Sequence, residues 1–262
     1  MVFPYLLCFK HFEDFLSINQ IRRPTPQLGE LYAARGDLEF YVKTGDRQAA
    51  ENALFFYTRA ERYGFTPPET LYRMGAAHYQ LEDWGNAISY LSRASVDLPM
   101  NRRLLFALGN AAYQRGNYFT AQGYFNRLLD TLENQRVRLP VRLPNDNIQF
   151  LEIGERLMMA LNNAGAVYEA LGEQTGNNEF RSRAMSLYSE SARAWDSITR
   201  NPESMTRMRL EDIPGAPGIN LGYLNANNLL RTRSAYNPGI FVRIDRDVVE
   251  PSKWEQLAPF GR

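Results

Sequence analysis

Hydrophobic and polar positions along residues 71–132 repeat with a period of 34. Leu71 recurs as Leu105, Met74 as Leu108, Gly75 as Gly109, Ala77 as Ala111 and Tyr79 as Tyr113. Beyond a polar break, Asp83 recurs as Asn117, Trp84 as Tyr118, Ala87 as Ala121, Tyr90 as Tyr124, Leu91 as Phe125 and Arg93 as Arg127. Each copy predicts two helices joined by a short turn at Glu82-Asp83 or Gly116-Asn117, with Trp84 and Tyr118 filling the corner after it. A fixed repeat of this length means stacked supersecondary units, each burying its apolar face only against its neighbours.

The small residues have a mechanical reason. Gly75 and Gly109 leave room for the second helix of the same hairpin, which offsets the roughly 1 kcal/mol that a mid-helix glycine costs against alanine. Ala87 and Ala121 do the same from the opposing helix. Downstream, Leu161, Ala164-Gly165, Tyr168, Gly172, Ala184, Tyr188 and Ser191 continue the pattern if about seven extra residues within Glu173–Phe180 lengthen the turn, since loops tolerate insertion better than helices do. Upstream, Ala34, Tyr41, Gly45, Ala53, Tyr57 and Ala60 fit with about three extra residues after Gly45. Four hairpins in series are therefore expected.

This repeat resembles the tetratricopeptide (TPR) motif, in which Leu-Gly and Tyr mark a first helix and Ala, Phe, Ala and a closing Pro mark a second. The first clear copy reads Leu71, Met74-Gly75, His78, Ala87, Leu91, Ala94 and Pro99. The second reads Leu105, Leu108-Gly109, Ala112, Ala121, Phe125 and Leu128, with Glu133 in place of the closing proline. The fold expected is all-α: an α-solenoid of about four TPR-like hairpins over residues 28–200, with a capping N-terminal segment at 1–27 and an irregular C-terminal extension at 201–262.

Outside the repeat the pattern changes. Phe3, Phe9, Phe12 and Phe15 give one apolar face to a helix expected from about Leu6 to Ile18, before the breaker Arg23-Pro24-Thr25-Pro26. Capping of the first hairpin is the favoured role for it over membrane contact. The doublet Val137-Arg-Leu-Pro140 and Val141-Arg-Leu-Pro144 places Glu133–Asn147 as an extended spacer, because proline every fourth residue forbids helix. Asp146 or Asn147 then caps a long helix to about Leu171, ended by Gly172. After about Arg200 the repeat stops. A short helix over Leu221–Leu230 and a strand over Ile240–Val249 are expected, and Val242, Ile244, Val248, Trp254, Leu257 and Phe260 need cover; fold-back of residues 240–260 along the last hairpins is favoured for this over docking to a partner.

Charge adds little. The 262 residues carry a net charge of +1 with 44% hydrophobic content, so nothing in the balance calls for nucleic acid. Lysine occurs only at Lys10, Lys43 and Lys253, so arginine supplies 27 of the 30 basic residues. Codon usage explains that better than arginine-specific recognition. Cys8 is the only cysteine, which rules out an intrachain disulfide. Met1–Phe9 meets Lys10-His11 too early for a secretory leader, and no stretch reaches the ~18 apolar residues that span a bilayer. The chain as given reads as soluble.

Catalytic chemistry is hard to place. His11 and His78 are the only neutral-pH proton carriers, and His78 stands where the motif packs a tyrosine. Gly215, Gly218 and Gly222 have the wrong spacing for a dinucleotide fingerprint, and there is no phosphate-loop lysine, zinc-ligand cluster or nucleophile elbow. No catalytic residue, cofactor or metal is expected.

The resemblance implies instead a concave groove lined by the first helices. Carried over, its inward positions fall on Tyr72, Tyr79, Gln80, Arg103, Phe106, Asn110, Tyr113 and Gln114, with Asn162 and Glu169 from the third clear copy. Amides and rigid rings there suit an extended peptide. The alternative for Tyr72, Tyr79, Phe106 and Tyr113 is packing between hairpins. The function expected is a non-catalytic protein-interaction scaffold, with a peptide-binding chaperone or assembly cofactor as the second reading. The tail, Asn225-Ala-Asn-Asn228 and Ile240-Phe-Val-Arg-Ile-Asp-Arg-Asp-Val-Val249, resembles the C-terminal part of large spirochaete TPR proteins of the periplasmic flagellar collar. That likeness implies a membrane-associated assembly, a periplasmic location rather than a cytoplasmic one, and a longer parent protein.

Overall fold

A computed structural model of the chain describes residues 26–42, 47–99, 101–138 and 148–199. Among these residues all regular structure is helical, in eight helices: α1 (Pro26–Val42), α2 (Arg47–Arg62), α3 (Pro68–Gln80), α4 (Trp84–Ala94), α5 (Arg102–Gln114), α6 (Tyr118–Arg138), α7 (Ile148–Thr175) and α8 (Asn178–Thr199). They pack as four hairpins in series, each helix lying mainly on its neighbours in the chain, with lesser contacts between successive first helices. The expected N-terminal helix, the strand over 240–249 and the covering of the tail's apolar residues fall outside the described residues. Among the described residues no helix is long and apolar enough to cross a membrane.

One contact recurs in all four hairpins. A Cβ added at Gly75 would lie 2.5 Å from Leu91 Cγ, and one at Gly109 would lie 2.7 Å from the Phe125 ring. At Gly165 it would meet the Tyr188 ring at 2.8 Å, and at Gly36 the Tyr57 ring at 2.5 Å. The second helix supplies a large side chain at a fixed place, and the first helix makes room for it by having none. Ala53, Ala87, Ala121 and Ala184, one turn earlier on the second helices, are all closed to solvent. So are Ala60, Ala94, Leu128 and Ser191, one turn later, and the Ser191 hydroxyl donates to the Met158 carbonyl at 2.8 Å.

Gly36 corrects the register of the first hairpin. With Gly36 rather than Leu38 opposite Tyr57, the extra residues between α1 and α2 number more than the three expected after Gly45. Phe40, buried, then takes the place that Tyr79 holds in the second hairpin. The fourth hairpin departs from expectation too. Its added residues do not form a long turn: α7 runs on to Thr175 and α8 begins at Asn178, leaving Gly176 and Asn177 between them. Gly172 therefore does not end the helix. Its missing side chain admits Arg181, whose Cγ would lie 2.7 Å from a Cβ there, and Gly176 with φ of 71° makes the stop. Helix α6 also continues as far as Arg138, deeper into the expected spacer than proline spacing suggested, and the rest of that spacer up to Asn147 lies outside the described residues.

The turns of the second and third hairpins share their hydrogen bonds. Glu82 N donates to Tyr79 O at 3.0 Å and Asp83 N to His78 O at 3.0 Å; Gly116 N donates to Tyr113 O at 2.8 Å and Asn117 N to Ala112 O at 2.9 Å. Gly116 adopts a φ of 73°, and Glu82, its equivalent, is held at 63°. A side chain in that left-handed conformation costs about 1–2 kcal/mol, partly offset by glycine's greater freedom when unfolded. Glu82→Gly is expected to raise stability by about 0.5–1 kcal/mol, read as a higher denaturant midpoint. A lower midpoint would show that the Glu82 side chain contributes more than its backbone costs.

Candidate functional site

The inner layer consists of the first helices, and its side chains form a buried polar chain. Asn110 on α5 donates from Nδ2 to the Tyr79 hydroxyl on α3 at 3.0 Å, and Asn163 Nδ2 on α7 donates to Asn110 Oδ1 at 2.9 Å. Asn162 Nδ2 in turn lies 3.2 Å from Asn163 Oδ1. Tyr79, Asn110 and Asn163 are fully buried, so their polar atoms join three hairpins to one another. Hydrogen bonds satisfied in this way tolerate burial that an unpaired amide would not.

The other inward positions divide by depth. Arg103 is 9% exposed, Phe106 4% and Asn162 4%, whereas Tyr72, Gln80, Tyr113 and Glu169 are half-buried and Gln114 is exposed. Phe106 stands edge-on to Phe125, with centroids 6.0 Å apart. Tyr79 stands edge-on to Trp84 at 5.1 Å and Tyr113 tilts against Tyr118 at 5.2 Å, so the same pair of rings fills both corners. Glu169 accepts a hydrogen bond from the Tyr188 hydroxyl at 2.9 Å. Replacing Tyr79 would thus disturb packing between hairpins before it disturbed any partner.

Two polar clusters were not picked out as a site from sequence. In the first hairpin Asp37 accepts from the Tyr57 hydroxyl at 2.8 Å and from Arg73 Nη1 at 2.9 Å, tying α1, α2 and α3 together. Burial raises the Asp37 pKa above the ordinary carboxylate value, against the opposing pull of Arg73 and of the Tyr57 hydrogen bond. Asp37 stands one residue after Gly36, as Asn110 does after Gly109, and that repeated place was the signal available. The second cluster surrounds His78. Its ring stacks on Tyr90 at 5.4 Å and its Nδ1 lies 3.1 Å from Asp83 Oδ2. Asp83 also caps α4 through the Asn86 amide at 3.3 Å. Burial lowers the His78 pKa although Asp83 pulls the other way, and the ring is a wall between hairpin and turn.

At the turn end of the third and fourth hairpins an aromatic group reaches solvent. Phe119 is 58% exposed and meets Phe180 edge-on at 6.2 Å, and Phe180 lies 6.0 Å from Tyr168. The Tyr168 hydroxyl is 3.3 Å from Asn126 Nδ2. Tyr113 and Tyr168 pack together against the small core of Ala166, Ala184 and Tyr188, which connects this group to the end of the inner layer. No family model matches the chain, and no curated protein matches it.

Proposed function

We propose that the chain is a TPR-type solenoid serving as a non-catalytic protein-interaction scaffold. The observation that carries this reading is the aromatic group at the turn end: Phe119 is exposed and in ring contact with half-buried Phe180, which in turn meets half-buried Tyr168, so three adjoining rings are open to a partner at one place. Aromatic side chains are enriched at the cores and hot spots of protein interfaces. The stack of hairpins holds these rings at a fixed spacing, and the partner class is a protein or an extended peptide.

A tagged full chain and its Gln114→Ala/Phe119→Ala variant, used as baits in extracts of the native organism, test this. Both residues are largely in solvent, so the variant should melt as the wild type does. The partner captured by the wild type should be lost from the variant, with affinity down by about 30-fold for a hot-spot ring. Equal recovery of the same proteins by both baits would remove the turn end from the interface. Capture of many proteins, each weakly, would favour the chaperone reading.

A further inference from the structure

An arginine recurs on the second helices of the first three hairpins. Arg59, Arg93 and Arg127 each stand two residues after the large side chain that faces a glycine, Tyr57, Leu91 or Phe125. Arg93 reaches back onto the hairpin before it: its Nη1 donates to Glu61 Oε1 at 2.9 Å, and the Tyr90 hydroxyl donates to Glu61 Oε2 at 3.1 Å. Arg127 reaches back too, from Nη2 to the Pro99 carbonyl at 2.9 Å. Arg59 is the first of the series, and no hairpin precedes α1 and α2 among the described residues.

The Arg59 side chain points away from the stack. Glu61 faces α4, and at 3.6 residues per turn a residue two places earlier lies about 200° around the helix from it. On that outer side the guanidinium lies over the Phe55 ring at 4.1 Å and over the Tyr32 ring of α1 at 5.5 Å. Tyr32 is in turn stacked on Tyr63, with centroids 5.5 Å apart. Among the described residues no carboxylate pairs with Arg59, whereas Arg35 pairs with Glu39 and Arg47 with Glu51. The surroundings are open: Phe55 is 54% exposed, Leu31 is 37% exposed, and Arg62 is exposed as well. A guanidinium set against rings keeps its N–H edge for an acceptor, and its planar fork matches a carboxylate.

We propose that this outer side of the first hairpin docks an acidic helix of a partner protein. The helix lies against α1 as α2 lies against α3, and gives a carboxylate to Arg59 as Glu61 gives one to Arg93. Charge complementarity commits the site to that partner. The unmet group is a cation with Arg62 beside it, so an acidic side chain answers it. Phe56 stands where Tyr90 stands but has no hydroxyl, so the second arm of the clasp is missing; the exposed Phe55 and Leu31 call for an apolar residue next to the carboxylate. Because Arg35 and Arg47 are already paired, the surface lacks the run of cations that a nucleic acid would need. The site is on the first hairpin, apart from the turn-end rings of the third and fourth assigned above to partner binding.

Fluorescence anisotropy of a labelled synthetic helix with the full chain tests this. The probe has the sequence of residues 47–62, held helical by a hydrocarbon staple, and so carries Glu61, the acceptor that the stack itself uses. Saturable binding to the wild type is expected. Arg59→Ala in the chain, or Glu61→Gln in the probe, should each weaken it by about tenfold, the loss of one charge-assisted hydrogen bond. Both changes together should weaken it no further, because they remove the same contact. If Arg59→Ala does not fold, Arg59→Gln takes its place, keeping much of the stem and losing the charge. No saturable binding to the wild type overturns the proposal, and so does an arginine substitution that weakens both probes equally. Gln114→Ala/Phe119→Ala should bind the probe as the wild type does, so failure here leaves the turn-end interface standing.

Discussion

A Gly75→Leu variant is expected to lose about 3 kcal/mol of stability and to melt roughly 6–12 °C lower than the wild type. The first atom of any side chain at this position would lie 2.5 Å from Leu91 Cγ and 3.0 Å from the Leu91 backbone nitrogen. Leu91 can turn its side chain aside but cannot move its own backbone, so α3 and α4 must separate. Separation uncovers Ala87, Leu91 and Ala94, all closed to solvent in the intact hairpin. Gly123 on α6 is the internal control: a Cβ there meets nothing within 4 Å. Gly123→Ala should gain about 0.5–1 kcal/mol, since glycine in an exposed helix is destabilising by that amount. Calorimetric melts of the two variants should move in opposite directions. A Gly75→Leu melt superimposable on the wild type would falsify the close approach within the hairpin.

The second large effect is expected at Asp37. Asp37→Ala removes the carboxylate that neutralises Arg73 and accepts from the Tyr57 hydroxyl, inside a site where the Arg73 side chain is 13% exposed and that of Asp37 9%. Breaking one partner out of a buried charged pair costs about 3–5 kcal/mol. The loss should appear as a lower denaturant midpoint. The pH dependence has a definite sign. Because burial holds the folded pKa of Asp37 above its unfolded value, its contribution is full below the unfolded value, near 3.8, and falls as pH rises through the raised folded value. Stability of the wild type measured against Asp37→Asn should thus increase as pH falls through that window. An opposite slope would mean that Arg73 outweighs desolvation.

Sequence pattern revealed the hairpins wherever large and small residues sit at their usual places. Gly75 and Gly109 announce themselves because Met74 and Leu108 precede them, as the motif asks. Gly36 was hidden by Arg35 before it, and the register slipped onto Leu38. The inserted residues of the fourth hairpin were visible in number but not in shape: a helix absorbs added residues at either end when nothing in Glu173–Thr175 stops it, and only Gly176 has the backbone freedom to do so. Burial of the inward positions was the least legible. Asn110 and Asn163 are polar, and polarity alone points outward; their burial depends on partners in the adjacent hairpin. Such pairings between distant residues leave no period in the sequence.

Arg93 and Arg127, one repeat apart, both reach backward. Arg93 Nη1 donates to Glu61 at 2.9 Å, beside the Tyr90 hydroxyl at 3.1 Å, and Arg127 Nη2 donates to the Pro99 carbonyl at 2.9 Å. Each acceptor belongs to the part of the chain made earlier. A ribosome releases the chain from its N-terminus, so the helices that carry Arg93 and Arg127 emerge after the acceptors these two arginines reach. Growth of the stack can then keep pace with synthesis, one clasp at a time.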